Sequence, residues 1–197
     1  MSSFGGHSLV ALGIYALGRR PAARWQQVAW AAWLTILALA PDIDYLFPLF
    51  YLPYPTRLTH SVLGSLLLPL LTAAALFLAG QRSNKLWVLT FQALLAGLSH
   101  PLLDMLVGVM PLPLLWPLTS DTFRLPFGLL PSAGSLRLVN YFFYRNLLIE
   151  LGVLLPLFLA LHRLRHSNPN RPVSMYLTAA LLAITALFMA WAATLQR

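Results

Sequence analysis

Cysteine is absent from this chain of 197 residues, and acid is nearly so, with five Asp and Glu in all. The first absence excludes disulfides, thiolate metal sites and cysteine nucleophiles. The second means that each carboxylate asks for a reason. Only 9% of the residues are charged, against about 25% in ordinary soluble domains, which favours a membrane class. Lysine occurs once, at Lys85.

The chain is rich in apolar residues, at 59%, and carries a net charge of +8. In a soluble protein that balance would suggest nucleic acid. Here the arginines stand at the ends of apolar runs, as membrane proteins place them for orientation and headgroup contact. The expected partners are therefore membrane lipids, with no direct nucleic-acid partner. The start, "MSSFGGHSLVALGIYALGRR", has its charges after the apolar run and reads as a retained first helix rather than a cleaved signal.

Six apolar segments organise the sequence: about Phe4–Gly18, Gln26–Ala40, Leu58–Gly80, Leu86–Met110, Tyr141–Leu164 and Val173–Leu195. A helix crossing the hydrocarbon needs about 20 residues. The last four segments meet that length; the first two reach only part way or stop where the bilayer is thin. The expectation is an all-α integral membrane protein with about six transmembrane or partly spanning helices in one bundle. It forms a single membrane domain over 1–197, with a metal-site region at 4–150 and a C-terminal helix at 173–195.

Arg19, Arg20 and Arg24 follow the first segment, Arg82 and Lys85 the third, and Arg163, Arg165 and Arg171 the fifth. Those three connections are expected on the cytoplasmic side. Arg57, Arg124, Arg137, Arg145 and Arg197 fall to the other side, where both termini would lie. The remaining long connection, 111–140, is rich in proline and apolar without being a span. It is expected in the interface, or folded over the helices.

Imidazoles and carboxylates are few enough to consider one by one. A charge at membrane depth costs roughly 2.5–3.5 kcal/mol. His7 opens the first segment, Asp42 and Asp44 end the second in "PDID", and His60 begins the third. His100 and Asp104, four residues apart in "HPLLD", share a helix face. All are expected at one end of the bundle, with Glu150 nearby. Imidazole nitrogen with carboxylate oxygen suits zinc first, then manganese or iron, as one or two ions. Bland alternatives stand beside each: a buried hydrogen-bonded His100–Asp104 pair, two solvated acids at a helix end, or Glu150 paired with Arg145 or Arg57. Asp121 is better read as a cap or as a partner of Arg124. His162 and His166 lie in a cationic stretch without acid and read as interfacial residues. Arg57, three residues before His60, is placed to hold a phosphate.

The ordered blocks His7, "PDID", "RLTHS", "SHPLLD" and "LLWPLTSD" resemble the YdjM-like family, described as inner-membrane, metal-dependent hydrolases and as LexA-binding. The resemblance covers roughly Phe4–Glu150. More distantly the pattern is similar to zinc-dependent phospholipases C and related single-strand nucleases, whose Asp, His and His-x-x-x-Asp ligands match Asp42 or Asp44, His60, His100 and Asp104. This chain has no later histidine cluster supplying a further complete zinc site and no N-terminal tryptophan ligand, so one or two ions are expected rather than three.

The resemblance implies a metal-dependent hydrolase, a phosphoesterase of phospholipase C type, in the bacterial inner membrane. It would be multi-pass, with its site on the extracytoplasmic side and a lipid or lipid-linked phosphoester as substrate. The expected ligands are His7, Asp42, Asp44, His60, His100 and Asp104. Catalysis is assigned to Asp42, Glu150 and Arg57, and substrate binding to Arg57, Arg124 and Arg145. The alternative is a non-enzymatic membrane protein with a structural metal and a protein partner.

Overall fold

The computed structural model describes residues 3–44, 57–108, 110–131, 139–166 and 172–195. Arg137, Arg171 and Arg197, which enter the charge bias, lie outside the described residues, as does part of the 111–140 connection. The described chain is helical: α1 (Phe4–Leu17), α2 (Arg24–Leu39), α3 (Val62–Leu78), α4 (Ser83–Val107), α5 (Tyr141–His166) and α6 (Pro172–Thr194).

Local chemistry sets the ends. Ser3 caps α1, its hydroxyl accepting from the Gly6 amide. Ser61 caps α3 in the same way through the Gly64 amide. That cap corrects the expected third segment. Ser61 is extended, with φ −71° and ψ 159°, so Leu58–His60 forms a separate 3-10 turn. His60 therefore precedes α3 rather than beginning it. At 17 residues, α3 is also shorter than the roughly 20 needed for a straight crossing. Gly108 ends α4 in the left-handed region at φ 65°, where the lack of a Cβ removes the steric penalty.

Among the described residues, α4, α5 and the Met175–Thr194 part of α6 are long and apolar enough to cross a membrane. The shorter α1 and α3 are apolar too. Helix α5 packs along α6, α3 along α4, and α1 against α2, α4 and α5. One core joins Ala11, Trp30, Leu34 and Leu37 to Ala93 and Ala96 of α4. A second joins Leu103 and Val107 of α4 to Ile149, Val153 and Leu154 of α5. Helix α4 is shared by both cores, and its C-terminal half carries His100 and Asp104 between them.

Close approach of α3 and α4 depends on Gly97. A Cβ there would lie 2.4 Å from the Ser65 carbonyl oxygen and 2.6 Å from Pro69 Cγ. Both obstacles belong to backbone or ring and cannot swing away. Gly97→Ala is expected to destabilise the protein by about 1–3 kcal/mol. Thermal unfolding in detergent, compared with Gly80→Ala, checks it. At Gly80 a Cβ meets nothing within 4 Å, so the strain there is confined to the backbone, at φ 81°.

The long connection folds back over the helix ends. Leu112 and Phe123 form an antiparallel bridge, with N–H···O distances of 2.8 and 2.9 Å. The Leu114 carbonyl accepts from Val62 at the start of α3, and the Leu106 carbonyl of α4 accepts from Leu129. Leu112 and Leu130 are buried by this docking.

Candidate metal centre

The helix ends bring six chemistry-bearing side chains to one place. His7 lies one turn into α1, while Asp42 and Asp44 sit in the 3-10 turn that follows α2. His60 closes its own 3-10 turn, and Pro101 and the helical spacing hold His100 and Asp104 on one side of α4. His7, Asp44, His60, His100 and Asp104 are each at most 3% exposed, and Asp42 is 8% exposed.

Tautomers follow from the outer contacts. His100 Nδ1 lies 2.7 Å from the Ala38 carbonyl oxygen. An oxygen of that kind only accepts, so Nδ1 donates and the neutral ring presents a lone pair at Nε2. His60 Nδ1 lies 3.2 Å from Asp44 Oδ2, which also accepts from the Thr59 hydroxyl at 3.0 Å. His60 Nε2 is thereby turned inward, where the neutral ring presents its lone pair. A carboxylate or carbonyl behind each ring is the usual support of a metal-binding imidazole.

Those lone pairs face oxygens. Asp42 Oδ1 is 3.6 Å from His60 Nε2 and 3.5 Å from His100 Nε2. Asp104 Oδ2 is 3.6 Å from His60 Nε2 and 3.7 Å from His100 Nε2, and Asp104 Oδ1 is 3.6 Å from His7 Nε2. Among the described residues, Asp42 Oδ1, His60 Nε2, His100 Nε2 and both His7 ring nitrogens make no hydrogen bond. The spacings exceed a hydrogen bond. They are close to the roughly 3.4 Å edge of a tetrahedron built with 2.0–2.1 Å metal–ligand bonds. Buried nitrogens and carboxylate oxygens that converge without a hydrogen bond between them fit a divalent cation once His60 has lost its proton.

Two overlapping triads have their ligand atoms within 4.8 Å of one another: Asp42, His60 and His100, and His7, His100 and Asp104. The rings of His60 and His100 meet at 72°, so both can aim at one point. His7 and His100 are stacked at 3.9 Å and 8°. Lone pairs lie in the ring plane, so two parallel rings at that spacing cannot both aim at a single ion. His7 pairs instead with the other oxygen of Asp104.

Electrostatics agree with a site built for positive charge. Burial opposes charge on His60, but the nearby Asp42 and Asp44 outweigh it and raise the ring to about 9. Burial would raise Asp42, yet the close approach of His100 and His60 holds its carboxyl well below the usual range.

The remaining expected site residues are placed as follows. Asp44 lies behind His60, on the ring nitrogen facing away from the cluster, where the sequence reading had made it a direct ligand. Glu150 belongs to neither triad; it accepts from the Ser3 amide at 3.1 Å and pairs with the Ser3 hydroxyl. It thus ties α5 to the cap of α1, and so fixes His7. Arg145 donates to Asn146 Oδ1 at 3.1 Å and lies over the Phe142 ring. Arg124 is exposed on the long connection, and Arg57 is half-buried at the start of the 3-10 turn with φ 41°. Asp121 accepts from Thr119 at 2.7 Å in a local turn. His162 and His166 meet at the far end of α5, their rings tilted by 45°. Sequence reading missed Thr59, Ser3 and the Ala38 carbonyl as supports. Thr59 was findable as the neighbour of His60, and Ser3 as a capping residue before "FGGH".

Residues 1–194 match the family described as YdjM inner membrane protein. The chain belongs to this family. No curated protein and no solved structure matches the chain. A YdjM-family membrane protein with buried His and Asp groups able to hold a metal ion is what sequence and geometry together establish.

Proposed function

We propose that this YdjM-family protein is a membrane-bound, metal-dependent hydrolase that cleaves a phosphoester of a lipid or lipid-linked substrate. The observation that carries the proposal is the meeting of Asp42 Oδ1, His60 Nε2 and His100 Nε2 as buried acceptors around Asp104. A bound divalent cation, zinc first and manganese or iron next, supplies Lewis-acid polarisation and a water of lowered pKa. The donor set is imidazole and carboxylate, which suits those metals better than magnesium or calcium.

The chain's own residues divide the remaining work. His60 and His100 are held with Nε2 inward by Asp44 and Ala38. Asp42 is the carboxylate placed to take a proton from water, since Asp104 is engaged with three imidazoles and Glu150 with Ser3. Arg57, at the turn leading into His60, is the cation proposed to hold the phosphate. The multi-pass topology, with the cluster on the extracytoplasmic side, follows from the arginine bias.

A second reading has support in the burial itself. A structural metal site is closed by four protein ligands, whereas a catalytic one keeps an open position. Four ligand atoms no more than 8% exposed at residue level suit a closed site in a non-enzymatic membrane protein with a protein partner. One assay separates the two. Purified protein in mixed micelles with headgroup-labelled phospholipids is expected to release a water-soluble phosphorylated headgroup, to stop on chelation and to resume on adding zinc or manganese. Stoichiometric metal with no turnover across phosphodiester and phosphomonoester lipids leaves the structural reading.

A further inference from the structure

All five acids of the chain lie toward the metal-centre end: Asp42, Asp44, Asp104, Asp121 and Glu150. Among the described residues, the opposite end is built from the α1–α2 and α3–α4 connections and the C-terminal end of α5. It carries Arg19, Arg20, Arg24, Arg82, Lys85, Arg163 and Arg165 and, among the described residues, no Asp or Glu. No internal carboxylate can neutralise this cationic end, so its counter-charge must come from outside the chain.

At that end a cavity of about 590 Å³ opens between α1, α4 and α5. Its walls include Leu17, Trp87, Phe91 and Leu95, and its rim carries Arg19 and Arg165. Trp87 and Phe91 are 73% and 61% exposed, so the cavity opens sideways, toward the surface that hydrocarbon would cover. The rim is held in place. Gln92, buried at 3% exposure, accepts from Trp30 Nε1 at 2.8 Å and donates to the Arg19 carbonyl at 3.3 Å. The Arg165 guanidinium donates to the Leu17 carbonyl at the end of α1. A second, smaller cavity shares Arg19 and adds Arg20 and Lys85.

An apolar lateral trough ending in two guanidinium groups, that of Arg165 tied to the end of α1, matches one ligand chemistry. The acyl chain of a lipid fills the aromatic part, and a phosphate takes the arginines, which can bind its oxygens in pairs. A free phosphate would leave the apolar wall unfilled. We propose that this cavity is a binding site for an anionic phospholipid, separate from the metal centre and at the other end of the bundle.

The test uses full-length protein in non-ionic detergent, with retained lipid read by native mass spectrometry. Phosphatidylglycerol is expected to be retained. Phosphatidylcholine of the same chains should not be, and soluble glycerol 3-phosphate should not displace the lipid. Arg19→Gln with Arg165→Gln is expected to lower retention at least about tenfold. Arg24→Gln with Arg82→Gln removes equal charge from the same end outside this cavity, and should change it less than about twofold. Leu95→Trp, which leaves the charge untouched and fills the trough, should also lower retention. This variant decides the matter if the arginine pair fails to fold. Equal loss from both arginine pairs, or equal retention of phosphatidylcholine, overturns the proposal. The readout is bound lipid rather than turnover, so it stands or falls independently of the hydrolase reading.

Discussion

Replacing His100 or Asp104 by alanine is expected to strip the protein of its metal, the largest single-residue effect foreseen here. His100 belongs to both triads of mutually close ligand atoms. Asp104 approaches three imidazoles, through Oδ1 to His7 and through Oδ2 to His60 and His100. Removing either leaves fewer donors than a tetrahedral ion needs. Metal content of carefully prepared protein should fall at least about tenfold, in line with the strong dependence of such sites on a full ligand set. Arg124→Ala, on the exposed connection, should keep full metal. Wild type without metal, or both variants with full metal, would sink the central idea. The same measurement counts ions. Because the His7 and His100 rings are parallel, His7→Ala removes one ion of two if the site is paired, and none if a single ion sits by His60 and His100.

Much of this was legible because the chain spends acid so sparingly. Once six apolar segments were aligned end to end, His7, Asp42, His60, His100 and Asp104 could fall at one end of the bundle, and the fold brings them together there. The apolar segments located α1 to α6, whereas the serine caps that start α1 and α3 are seen only in the fold. What the pattern could not show was which atoms face inward. Asp42 and Asp44 are two residues apart and equivalent in sequence, yet the 3-10 geometry after α2 sends one toward the lone pairs and the other behind His60. Hydropathy is also blind to Ser61. Its cap splits what reads as one long segment, because a single hydroxyl satisfying an amide outweighs a continuous apolar run. Glu150 was suspected for its charge alone, and only the fold reveals Ser3 as its partner.

Removing the Asp44 carboxylate should weaken metal binding without removing a ligand. Asp44 holds His60 Nδ1 at 3.2 Å and is itself steadied by Thr59 at 3.0 Å. Without that acceptor the ring can turn, or carry its proton on Nε2, and the inward lone pair is lost part of the time. Loss of such outer partners typically costs about 10–100-fold in metal affinity. Asp44→Ala is expected within that range. Asp44→Asn should lose less, because its amide oxygen can still accept from Nδ1 although the charge is gone. The proton balance gives a second readout. In the metal-free protein His60 is raised to about 9, against burial, by Asp42 and Asp44. Its proton must leave when metal binds, so uptake near neutral pH should release acid, and affinity should climb as pH rises toward 9. Asp44→Asn removes one of the charges that raise the ring, so it should release fewer protons at the same pH. Calorimetry in two buffers of different ionisation enthalpy measures both quantities. Unchanged affinity in both variants would mean that Asp44 does not orient His60.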